Sequence, residues 1–151
     1  RRVLFRSQEF IRKLNSLTGQ NFRLPTEAEW EFAARGGKSN GYKYSGSSMI
    51  DDVAWYDDNS GYTTHNVGTK SPNELGIYDM SGNVWEWCQD WFGYYEAASQ
   101  INPTGPEEGA DNQRVIRGGS WAYDIMNCRI SVRHGQEATV RKMDIGFRLA
   151  L

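Results

Sequence analysis

With 151 residues the chain suits one domain, large enough to bury a real core. Seventeen Lys and Arg stand against nineteen Asp and Glu, a net charge of −2, which calls for neither nucleic acid nor an acidic membrane surface as partner. No apolar run approaches the roughly 20 residues of a membrane helix, and two cysteines, Cys88 and Cys128, allow at most one internal disulfide.

Residues 1–7, RRVLFRS, match a common short-read sequencing adapter translated in frame. They are expected to be a non-native start before a domain running over residues 8–151; the alternative is a genuine basic helix start. Residues 8–17 read as a helix, with Phe10, Ile11, Leu14 and Leu17 on one stripe at helical spacing and Gly19 as its stop. Thr26 followed by Glu29 forms a capping box, each side chain serving a backbone N–H at the start of a second helix. That helix runs through Trp30, Ala33 and Ala34 to Gly36-Gly37.

Residues 38–72, rich in Gly, Ser, Asn and Asp around the island Val53-Ala54-Trp55-Tyr56, read as long ordered loops. Such length in a compact domain points to function or flexibility. An aromatic strand follows at Val84-Trp85-Glu86-Trp87-Cys88, then a polar loop over 94–113, then strands expected at 115–119, 129–133 and 146–151. Helices early and short strands late make an α+β domain.

The residues alone leave the chemistry open. Asp79 and Glu86 lie seven apart around a Gly turn, a spacing that could serve calcium, which takes oxygen ligands. Equally, Asp79 could cap a turn and Glu86 pair with an arginine. His65 and His134 have no metal-ligand spacing, and Ser120 lacks the G-x-S-x-G frame of a nucleophile elbow. Cys88 and Cys128 could be core thiols, a disulfide or a metal pair. Arg117, Arg129, Arg133 and Arg148 are expected to pair with Glu29, Glu86 or Asp90.

Three segments in order, RLPTEAEWEFAARGG from Arg23, NELGIYDMSGNVWEWCQDW from Asn73, and RVIRGGSW with a closing IGFRLAL, resemble the formylglycine-generating-enzyme (sulfatase-modifying factor) family. The resemblance covers residues 8–151 and implies a variant of the C-type lectin fold, truncated here before its N-terminal strands. It further implies a structural calcium held by the side chains of Asp79 and Glu86 and the carbonyls of Gly82 and Val84. Active relatives hold copper between two cysteines after the GGS motif; here Tyr123 takes the first place and Cys128 falls at or near the second. Soft thiolates are what copper(I) prefers, and one cannot make the pair, so copper is not expected and Cys128 is the sole catalytic candidate if the chain is an altered sulfatase-maturation oxidoreductase.

A scaffold without its thiol pair reads better as a binding module for a protein or small-molecule ligand. Some relatives are variable proteins of diversity-generating retroelements, with their diversified surface in the last stretch. That places the candidate surface at Trp121, Tyr123, Ile125, Met126, His134 and Gln136, with Trp121 equally able to pack inward.

Overall fold

The computed structural model describes residues 3–38 and 41–151; of the seven residues read as a non-native start, Arg1 and Arg2 lie outside that range. Helix α1 (Val3–Thr18) extends five residues upstream of the expected start. Its apolar stripe is only partly used: Ile11 is buried, whereas Phe10 and Leu17 are exposed, Leu17 to 85 %. Helix α2 (Glu27–Ala34) begins as its capping box dictates, with Thr26 Oγ1 accepting from Glu29 N at 3.2 Å and Glu29 Oε2 accepting from Thr26 N at 2.8 Å.

The sheet has four strands in the order β3-β2-β1-β4. Strand β1 (Trp85–Trp91) pairs antiparallel with β2 (Gln113–Arg117) and parallel with the two-residue β4 (Ile145–Gly146), while β3 (Arg133–Glu137) pairs antiparallel with β2. Side chains alternate along a strand, so β1 sorts its residues onto two faces. Trp85 and Trp87 join Ile116, Leu24 and Ile11 of α1 in one cluster. Cys88 joins Val115, Ile130 and the α2 residues Trp30 and Ala34 in another. The aromatic strand is therefore the centre of the domain, buried on both sides.

The expected strand at 129–133 is displaced: β3 starts at Arg133. Ile130 N donates to Lys43 O at 2.9 Å and Val132 N to Arg129 O at 3.1 Å, so this backbone is committed to the long loop and to a turn before it can join the ladder. At the C-terminus the expected strand shrinks to β4 plus a bridge between Arg23 and Ala150. The long loop contains a short helix, α3 (Ile50–Val53), and a third cluster in which Tyr44, Ile50, Val53, Ala54 and Tyr56 close over Cys128. Its length thus has a packing reason: the loop supplies a piece of core. The α+β expectation holds.

Candidate binding surface

The surface grows from the turn after β2. Gly118 and Gly119 both have positive φ, +99° and +76°. At Gly119 a Cβ would meet Cys128 Sγ at 2.8 Å and Asn127 O at 2.9 Å, so only glycine lets the two segments touch. Ser120 is buried, its hydroxyl 3.2 Å from Asp144 Oδ2. Beyond it Trp121 N donates to Asn83 O at 2.9 Å, which ties the start of the segment to the loop before β1. Asp124 then closes a tight turn, its Oδ1 accepting from Asn127 N at 3.1 Å and from Asn127 Nδ2 at 2.8 Å.

That turn pushes Ile125 and Met126 outward, 40 % and 49 % exposed. Tyr123 is half-buried and packs edge-on against Trp85, centroids 5.5 Å apart. His134, reaching from β3, packs edge-on against the same indole at 5.0 Å, with Nε2 3.2 Å from Asn127 Oδ1. One buried tryptophan thus carries two of the six candidate side chains. Burial, and next the charge of Lys142, hold the His134 imidazole below its usual pKa, so the ring favours the neutral form. Trp121 is half-buried and lines a shallow cavity of about 510 Å³ with Tyr123, Arg141, Lys142 and Met143. Gln136 stands apart, half-buried on β3 opposite Arg114. The structure therefore gathers five of the six candidates around Trp85 and the 121–127 turn, and sets Gln136 further along the same sheet face.

Beneath this surface the two cysteines are free and fully buried. They line different clusters, Cys88 under α2 and Cys128 under the long loop. Burial pushes the Cys128 thiol up to about 12, with Asp124 and Asp57 adding to the effect, and likewise pushes Cys88 well above its ordinary value. Copper(I) takes a pair of soft thiolates; two buried cysteines packed in separate clusters do not make that pair.

The segment expected to hold calcium has a tight backbone, with positive φ at Asp79, Gly82 and Asn83. A Cβ at Gly82 would sit 2.3 Å from Trp55 O. Glu86 is buried and grips Arg148, whose Nε donates to Oε2 at 2.6 Å and whose Nη2 donates to Oε1 at 2.7 Å. Trp30 Nε1 donates to the same Oε2 at 2.7 Å. Arg148 Nη2 also reaches Tyr78 O at 3.1 Å, and the Asp79 carboxylate adds to the field that raises the guanidinium pKa. Both Glu86 oxygens thus have donors, and Asp79 Oδ2 accepts from Gly68 N at 2.7 Å, so the turn-cap and arginine-pair roles are both filled. Among the described residues no group of three or more His, Cys, Asp or Glu is placed to hold a metal, and a cation here would have to share Glu86 with Arg148.

Sequence reasoning paired the arginines only in part. Arg148 meets Glu86 as expected, but Arg133 meets Glu27 through both carboxylate oxygens at 2.7 Å, and the fully buried Arg117 meets Glu27 and Glu31. Glu29 pairs instead with Arg23, and Asp90 accepts from Glu27 N at 2.8 Å. The signal was present: Glu27 and Glu31 lie four apart, on the side of α2 that Trp30 and Ala34 turn to the sheet. These acids also floor a cavity of about 540 Å³ under residues 93–106 that no sequence feature announced.

The α+β sheet, the capped α2 over it and the Glu86–Arg148 clasp between β1 and the closing GFR segment define a class, and the chain belongs to the family described as the sulfatase-modifying factor enzyme 1-like domain, whose profile matches residues 5–151. Its fold is the formylglycine-generating-enzyme-like variant of the C-type lectin fold. Among solved structures it is similar to Treponema denticola variable protein 1, at 45 % identity and a TM-score of 0.78 over 85 % of this chain and 46 % of that one. It is also similar to PvdO from Pseudomonas aeruginosa, at 30 % identity and a TM-score of 0.80 over 93 % and 56 % of the two chains. The formylglycine-generating enzyme of Streptomyces coelicolor is 36 % identical over 85 % of this chain and 46 % of its own length. The chaperone protein LppX of Paenibacillus barcinonensis is 38 % identical over 85 % and 48 %. The chain thus spans about half the length of these two relatives.

Proposed function

We propose that this domain is a non-catalytic module that binds a protein or small-molecule ligand through the face around Trp121, Tyr123, Ile125, Met126 and His134, with Gln136 at its margin. One observation carries the reading. The only thiol after the Gly118-Gly119-Ser120 turn is sealed under the long loop, while Ile125 and Met126 beside it stand out into solvent next to Tyr123, which packs on Trp85. Aromatic and flexible apolar side chains so placed give contact area at low entropic cost. Similarity to a protein called variable supports a further step, that this face is diversified while the base is kept.

The same reading includes a structural calcium at Asp79, Gly82, Val84 and Glu86, which would fix the loop that Trp121 leans on. When bound, the ion supplies only charge to that loop.

Two measurements test the module. With copper(I), oxygen and a cysteine-containing sulfatase peptide, the chain is expected to give no turnover; sustained oxygen uptake overturns the reading in favour of an altered oxidase. A library randomised at Tyr123, Ile125, Met126, His134 and Gln136 is expected to keep mostly folded members. Collapse of most members means that this surface is core, and ends the proposal.

A further inference from the structure

On the sheet face covered by α1, the chain has a further cavity, of about 600 Å³. Its floor is apolar, from Ile11, Phe22 and Leu24, and its rim carries Arg12, Arg23 and Arg114. No carboxylate-bearing residue is among those that line it. Gln8 and Gln89 add amides that can donate.

Arg114 is the unusual member. Arg23, Arg35, Arg117, Arg133 and Arg148 each meet a carboxylate at ion-pair distance. Arg114 is half-buried and has no such pair among the described residues, Asp90 acting on it only from further away. The reason it is placed there is local. The β1–β2 register slips between Trp87 and Trp91, and the slip sets Trp91 opposite Arg114. The guanidinium lies over the indole, 3.5 Å from the ring centroid, and Nη1 donates to Gln89 O. Its buried Nε has no acceptor among the described residues. A half-buried guanidinium with no carboxylate at pairing distance keeps donors to spare, and a planar fork held flat on a ring is prepared for a two-oxygen anion.

We propose that this cavity binds a small organic anion, a carboxylate or phosphate monoester with an apolar body. Arg114 takes the anionic head, and Ile11, Phe22 and Leu24 receive the body. The site lies apart from the 121–127 turn and stands or falls independently of the function proposed above.

Benzoate, phenyl phosphate, inorganic phosphate and benzyl alcohol are titrated against the chain by calorimetry and by following the Trp91 indole N–H resonance. Saturable binding of benzoate or phenyl phosphate is expected, with the Trp91 signal moving; the tighter of the two names the head group. Benzyl alcohol should not saturate. Arg114→Gln should weaken binding at least about tenfold. Arg114→Lys, which keeps charge but loses the fork, should also weaken it, and serves should the glutamine variant fail to fold. No saturation by either aromatic anion, or unchanged affinity in both variants, overturns the site. Inorganic phosphate binding as tightly as phenyl phosphate overturns the role of the apolar floor.

Discussion

Arg148 shows how much one side chain can hold. Its guanidinium joins the C-terminal segment to Glu86 in the central strand and to the carbonyls of Tyr78 and Asp79 in the preceding turn. Removing one member of a buried pair strands the other charge, which typically costs about 3–5 kcal/mol. Arg148→Met is therefore expected to lower stability on that scale in urea denaturation. Adding Glu86→Gln should recover part of the loss, because the pair is coupled. Additive losses would mean that the clasp is not a pair. The sequence offered Glu86 among three acids and Arg148 among four arginines, without matching one to the other. It showed the side of α2 on which Glu27 and Glu31 stand, but not Arg117 as their partner, because which acid a buried arginine meets depends on how α2 sits across the sheet.

At the scale of elements, α2 was legible almost to the residue. Its boundaries are set by local chemistry, the Thr26–Glu29 reciprocal cap at one end and Gly36 and Gly37 with positive φ at the other. Thr26→Ala should cost about 1 kcal/mol, read as a lower urea midpoint with an unchanged slope; an unchanged midpoint would mean that tertiary contacts alone start the helix. Strand β3 was not legible. The run from Arg129 looks extended in sequence, yet Ile130 is claimed by Lys43, some ninety positions back, and no local pattern records such a bond. The long loop was legible as ordered loop but not in its packing, since its apolar residues read as an island until Cys128 is placed beneath them. For the candidate face, the depth of its aromatics was not legible. Tyr123 was expected outside and Trp121 in or out; both lie half-buried, because Trp85 and the 141–144 segment rise on either side of them.

For the molecule as a whole, acid should act partly through the Arg23–Glu29 pair. The Arg23 hydrogen bonds, ahead of the cap to Thr26, hold the Glu29 carboxyl down to about 2, from an ordinary value of 4.5. A carboxyl depressed in the folded state adds stability that is present above the unfolded value and is lost as pH falls through the folded one. The loss should therefore run from about pH 4.5 down to about 2. The pair is roughly half-exposed, so solvent screens it and the effect is small. Thermal melting of wild type and Arg23→Gln should differ at neutral pH and converge at the acid end of that window. A gap that persists at the acid end would assign the difference to packing.

Calcium is expected to act at this scale too, by raising the melting temperature at millimolar concentration as any ligand of the folded state does. Asp79→Ala should remove the rise, and magnesium, which demands smaller and stricter geometry, should not reproduce it. A flat response in the wild type removes the ion from the account.

The 121–127 turn is pinned at both ends, by Ser120 bonded to Asp144 on one side and by Cys128 sealed against Gly119 on the other. Between these anchors Trp121 and Tyr123 stay tied to Ser60 and Asp57, and Asp124, Ile125 and Met126 stand out to solvent. Extra residues added there would lengthen an outward arch without disturbing either anchor. If the face binds as proposed, its height can change along with its side chains, an option that a face built on a continuous strand would not have.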